Sequence, residues 1–193
     1  MNSFVLASAS PRRRELLKKI IKSFKIIASD INEKAIVAKT PQENAVKTAL
    51  AKALDIAKEC KNSIVIGADT IVLLRNKIIG KPKSKKEAFR ILKSLSGTTH
   101  KVVTGLAVID SSDFSILVAY EETIVKMKKI SDKDISDYVA SGSPMDKAGG
   151  YGIQEVEDPF IDNIVGDYDN VVGLPVNLLK KMLVRIKKRG KKK

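Results

Sequence analysis

Apolar and polar positions follow two rhythms along this chain, and together they lay out an alternation of strands and helices. Phe4 to Ala7 is a short unbroken apolar run, enough for one buried strand. Ser10-Pro11 then opens a helix: a hydroxyl to cap orphan amides, followed by a residue whose φ suits the first turn. Leu16, Leu17, Ile20 and Ile21 recur at helical spacing behind it. Phe24 to Ala28 reads as a second strand, and Ser29 to Glu33 as a polar connection. From Pro41 to about Cys60 the stripe Ala45, Val46, Ala49, Leu50, Ala53, Leu54 and Ala57 predicts a long amphipathic helix, with Lys52 on the edge of its buried face. A β-branched strand over Ser63 to Gly67 is expected to end at Gly67-Ala68-Asp69-Thr70. Ile71 to Leu74 and Ile78-Ile79 follow as a hairpin-like pair turning at Arg75-Asn76-Lys77.

Ser84 starts a further helix with Ala88, Ile91, Leu92 and Leu95 on one side, closed by Ser96-Gly97. Thr99 to Ile109 and Ser115 to about Met127 form two strand-rich segments joined by the turn Asp110-Ser111-Ser112-Asp113. Ser131 to Ser141 is a short helix, Ser141 to Gly152 a loop-rich stretch, Phe160 to Val165 a strand, Gly166-Asp167-Tyr168 a turn, and Pro175 opens the last helix. With neither repeats nor an interdomain linker, the pattern predicts one α/β domain, a mixed sheet with helices packed around it.

Length agrees: 193 residues suffice for one hydrophobic core. The single Cys60 excludes an internal disulfide and suits a reducing compartment. No secretory h-region and no apolar run of spanning length occurs, so the expected location is cytoplasmic, without a membrane partner. The net charge of +14 looks like a nucleic-acid signal, but nine of the cationic side chains lie in residues 180–193. A basic tail over 187–193 is expected to be a solvated helix end. With four Tyr, five Phe and no Trp, base-stacking platforms are scarce, which disfavours nucleic acid as a partner.

The chemistry narrows quickly. One histidine and one cysteine leave no two-His metal site, so any metal must be held by oxygen ligands, hence Mg²⁺ or Mn²⁺. His100, in a turn before a strand, reads as structural. Arg12, Arg13 and Arg14 occupy a helix's first turn, where the dipole favours acids. Either an anion docks there, or the guanidinium groups run out to solvent. Asp69, at the carboxyl end of an apolar strand, is the strongest catalytic candidate, with a turn Asp as the alternative. Taken alone, Glu33 is a loop charge and Gln154 a surface amide. Lys81 is aimed by the fixed backbone of Pro82.

Ser-Ala-Ser-Pro-Arg-Arg, Gly-Ala-Asp-Thr, Lys-Pro, Ser-Gly-x-x-His-x-Val-x-Thr-Gly, Asp-Lys-Ala-Gly and Tyr-Gly-Ile-Gln occur in that order between residue 4 and about residue 179. This set resembles the Maf family of nucleoside triphosphate pyrophosphatases. The resemblance implies a Maf/ITPase-like domain over residues 1–186, with a mixed twisted sheet, flanking helices and a central cleft, followed by the tail. It implies a metal-dependent hydrolase converting dTTP and UTP, and modified pyrimidine triphosphates, to the monophosphate and pyrophosphate. Asp69 matches the family's proton acceptor, Glu33 and Asp69 the metal positions, and Ser8, Arg12, Arg13, Lys52 and Lys81 the phosphate-binding positions. Arg12, Thr70 and Gln154 match the residue types of the branch that acts on dTTP and UTP. An amide at 154 both accepts from the pyrimidine N3–H and donates to a ring carbonyl. A departure stands beside it: Glu155-Val156-Glu157-Asp158-Pro159 replaces a glycine-rich turn, which bears on fine substrate preference. Two rivals remain, a 7-methyl-GTP or purine-selective branch and a nucleic-acid or division-regulating binding protein with weak turnover. A homodimer is left open.

Overall fold

The computed structural model describes residues 3–153 and 160–189. Seven strands, β1 (Ser3–Leu6), β2 (Lys25–Ile26), β3 (Ser63–Leu74), β4 (Lys77–Ile79), β5 (Thr99–Asp110), β6 (Ser115–Met127) and β7 (Ile161–Val165), make one mixed sheet. Its order is β2-β1-β3-β5-β6-β7, with β4 paired to β3. Among the described residues six α-helices accompany it: α1 (Pro11–Lys18), α2 (Pro41–Ala57), α3 (Lys85–Leu95), α4 (Asp132–Ala140), α5 (Tyr168–Val172) and α6 (Val176–Arg189). This is the α/β class expected from the alternation of patterns. The last helix carries the first three residues of the basic tail, and 190–193 lie outside the described residues.

Contacts divide the chain into two compact units. The first comprises Met1–Asp69, Thr104–Glu121 and Gly173–Lys193. Here β1 runs parallel to β3 from Ser3↔Ser63 to Leu6↔Ile66, and parallel to β2 on its other side. Helix α2 lies unusually close on this sheet because both surfaces are stripped to small residues. Ala45, Ala49, Ala53 and Ala57, four apart on one helix face, are all fully buried. Opposite them stand glycines. A Cβ at Gly67 would sit 2.3 Å from the Ala49 carbonyl oxygen, and one at Gly105 2.3 Å from the Ala45 carbonyl. The helix backbone therefore rests directly on β3 and β5.

The second unit comprises Thr70–Val103 and Glu122–Val172. Its core gathers Val72, Leu92, Leu95, Val102, Val125, Met127, Ile135 and Phe160. Asn170 is fully buried in the middle of α5, and its amide donates to the Val102 carbonyl and the Thr123 hydroxyl, both at 3.0 Å. His100 is likewise buried, 2.5 Å by Nε2 from the Tyr151 hydroxyl, with Nδ1 unpartnered among the described residues. Burial pushes its pKa down to about 4, so the ring is neutral. That pair ties the motif around Ser96-Gly97 to the one at Tyr151-Gly152.

Three expectations need correction. The strand expected to end at Gly67 continues to Leu74 without a break. Asp69 is therefore within β3 rather than at its end, three residues beyond the last pairing with β1 at Ile66 and three before the first with β4 at Val72. Gly67 marks close helix approach, not a stop, which is the other common meaning of a strand glycine. The turn expected at Gly166-Asp167-Tyr168 passes into α5, started where the Asp167 carboxylate accepts from the Asn170 N–H. The second strand shrinks to two residues.

Candidate active site

Four segments of the first unit bring titratable groups together. The turn after β1 supplies Ser8, whose hydroxyl accepts from the Ser10 N–H at 3.2 Å. Ser10 caps α1, its side chain accepting from the Arg13 N–H. No acid balances the first turn of α1. Arg13 folds back over the turn, its guanidinium donating through Nε to the Gly173 carbonyl at 2.9 Å and through Nη1 to Ser8 Oγ at 3.3 Å. Burial lowers its pKa, against which the negative charges of Asp69 and Glu33 act to raise it; Arg12 lowers it further. It remains a cation, as arginine does in proteins. Arg12 beside it is half-buried.

Lys52 reaches off α2 to the sheet. Because the alanine stripe sets the helix on β3, its ammonium arrives 2.8 Å from Asp69 Oδ1. The same nitrogen lies 2.8 Å from Glu33 Oε1, so one ammonium joins two carboxylates. Glu33 sits on a single 3-10 turn, Glu33–Ala35, capped by Asn32. The side chains of Lys52 and Asp69 are only 12% and 13% exposed, that of Glu33 56%. The cluster thus has a buried end and an open end. Burial raises the pKa of Asp69 above the ordinary carboxylate value; Lys52 and Arg13 pull it down, and Glu33 pushes it up again. The result is a carboxylate that binds a proton more tightly than most aspartates, the trait wanted in a proton acceptor.

Of the residues singled out from the sequence, Ser8, Arg13, Lys52, Asp69 and Glu33 are thus linked by hydrogen bonds, ion pairs or shared charge. Thr70 follows Asp69 on β3 and is half-buried; Lys81, after β4, is exposed. Both belong to the second unit. Gln154 lies outside the described residues, as does the acidic run that follows it. Of the remaining features, the sequence announced the Ser10 cap but not the other two. Gly173 supplies only a carbonyl, Ser10 spends its hydroxyl on the cap, and the bridging of Glu33 and Asp69 by Lys52 depends on how close α2 sits. The small-residue stripe facing Gly67 is the pattern that announces such an approach.

The donor set suits a hard divalent cation. Two carboxylate oxygens converge on one positive centre, and carboxylate oxygen is the ligand such ions prefer. Among the described residues no group of three or more His, Cys, Asp or Glu gathers. A Mg²⁺ or Mn²⁺ held here would take its other ligands from phosphate and water, as Mg²⁺ commonly does.

The chain as a whole is similar to several known proteins. The dTTP/UTP pyrophosphatase of Clostridium botulinum (strain Kyoto / Type A2) is 46% identical over 190 residues, covering 96% of this chain and 98% of the relative. That of Alkaliphilus metalliredigens is 47% identical over 184 residues, 95% of each. A HAM1 protein from Coxiella burnetii shares the fold, with a TM-score of 0.50 at 17% identity over 96% of this chain and 100% of that one. The family model described as "Maf-like protein" matches residues 3–186, and the chain belongs to that family.

Proposed function

We propose that this protein is a nucleoside triphosphate pyrophosphatase of the cytoplasm, hydrolysing dTTP and UTP to the monophosphate and pyrophosphate. The observation that carries the reading is the cluster in which Lys52 joins the buried Asp69 to Glu33, beside the cationic Ser8–Arg13 turn. Its support at the level of substrate is the likeness to relatives named dTTP/UTP pyrophosphatase at 46% and 47% identity.

In this reading Asp69 accepts the proton of the attacking water, a task its raised pKa favours. Arg12, Arg13, Lys52 and Lys81 hold the phosphate chain, with the Ser8 hydroxyl and the α1 amides as neutral donors. Cleavage between the α- and β-phosphates loads negative charge onto the departing pyrophosphate, and cations placed around it stabilise that charge more than the ground state. Glu33 and Asp69 would hold Mg²⁺ or Mn²⁺, which supplies a Lewis acid for the phosphates and a more acidic water. Arg12, Thr70 and Gln154 read the base. Residues 1–186 are the catalytic domain and 187–193 a peripheral tail.

A panel of dTTP, UTP, dCTP, GTP and 7-methyl-GTP with purified protein and Mg²⁺ or Mn²⁺ tests the assignment. The expected ranking puts dTTP and UTP first; preference for 7-methyl-GTP overturns the base reading, and turnover of none overturns the enzyme.

A further inference from the structure

The ammonium of Lys52 joins Glu33 to Asp69, at 2.8 Å from an oxygen of each. A divalent ion bound by the same two oxygens sits roughly 2.1 Å from them. Held by those oxygens it would compete with the ammonium for them, and two cations sharing one pair of carboxylates repel. The parts are built to exchange. Lys52 hangs on four flexible methylenes from a rigid helix, and a lysine head serves as a movable point charge. Glu33 stands at the exposed end, on a turn of three residues. Asp69 is fixed within β3 and does not need to move.

We propose that Lys52 is a built-in stand-in for the divalent cation: it holds the two carboxylates together in the unloaded enzyme, gives them up when the metal arrives, and turns to the phosphate chain that arrives with it. This rests on the metal site proposed above and adds an order to its filling. Metal alone competes against a tethered ammonium and binds weakly. Metal and triphosphate together bind cooperatively, because the phosphates give the displaced ammonium a new partner. The ammonium also spares the empty enzyme the cost of two facing carboxylates.

The test follows free Mn²⁺ by electron paramagnetic resonance, with and without α,β-methylene dTTP, which resists cleavage at the α-β bond. Without nucleotide, Lys52→Met is expected to bind Mn²⁺ about tenfold more tightly than the wild type, a typical size for coupling between neighbouring sites. Lys34→Met, which removes an exposed cation next to Glu33, is expected to leave the affinity unchanged. The analogue should tighten Mn²⁺ binding in the wild type and do so less in Lys52→Met. Equal or weaker binding by Lys52→Met, or equal tightening by Lys34→Met, overturns the stand-in. If Lys52→Met does not fold, the wild type decides alone: no gain in Mn²⁺ affinity from the analogue overturns it. Failure of every form to bind Mn²⁺ even with the analogue overturns the metal site itself.

Discussion

Acidification should weaken this protein through one residue, His100, and the effect is large enough to measure. It is the chain's only histidine, 1% exposed, and its pKa is depressed from 6.5 to about 4 by burial. Below pH 6.5 the unfolded chain takes up a proton that the folded ring refuses, so stability falls with pH. The contribution is whole above pH 6.5 and disappears as pH drops toward 4. A shift of 2.5 units corresponds to about 3 kcal/mol in full, of which about 2 kcal/mol is lost between pH 7 and pH 5. Few carboxylates titrate in that interval, which leaves the signal to His100. The assay is urea denaturation at pH 7 and pH 5 for the wild type and His100→Asn. The wild type should lose about 2 kcal/mol more than the variant, whatever the variant's absolute stability. Equal losses, or a His100 resonance titrating near pH 6.5 in the folded protein, refute the reasoning.

Other outcomes follow from the same geometry. Asp69→Asn should retain nucleotide binding and lose turnover by about 10²–10⁴, measured as kcat against KM, since it removes the proton acceptor but little volume. Gly105→Ala should cost about 3 kcal/mol or more in thermal or chemical denaturation, because its Cβ would meet the Ala45 backbone at 2.3 Å and neither partner is a side chain that can turn away. Chelation with EDTA should abolish hydrolysis, and Mg²⁺ or Mn²⁺ should restore it, whereas the fold read by circular dichroism should not change.

How much of this was legible in the residues varies by element. Helix α2 was readable because its alanines repeat every fourth position, and α3 because Ser84 caps a clear apolar face; its hydroxyl does accept from the Glu87 N–H. The opening strand, turn and helix were equally plain from Ser10-Pro11. The continuity of β3 was not, because a glycine within a strand reads the same whether it ends the strand or admits a helix. Only the matching Gly105 on β5 and the alanines of α2 separate the two meanings. Of the site, the cationic turn stood out as a departure from local preference, and Asp69 for following an apolar run that was read as ending there. Glu33 did not, since nothing in a loop glutamate's neighbours says that a lysine nineteen positions on will find it. His100 was legible as structural, but its partner was not. Its burial against Tyr151 spans 51 positions and comes from packing alone.

In the proposed mechanism water attacks with help from Asp69, and pyrophosphate departs as a unit held by the basic residues. Turnover of dTTP in ¹⁸O-labelled water, with products resolved by ³¹P NMR and mass spectrometry, tests it most directly. Equimolar dTMP and pyrophosphate are expected as first products, with the label in dTMP. Release of inorganic phosphate with dTDP, or label in the pyrophosphate, would contradict it.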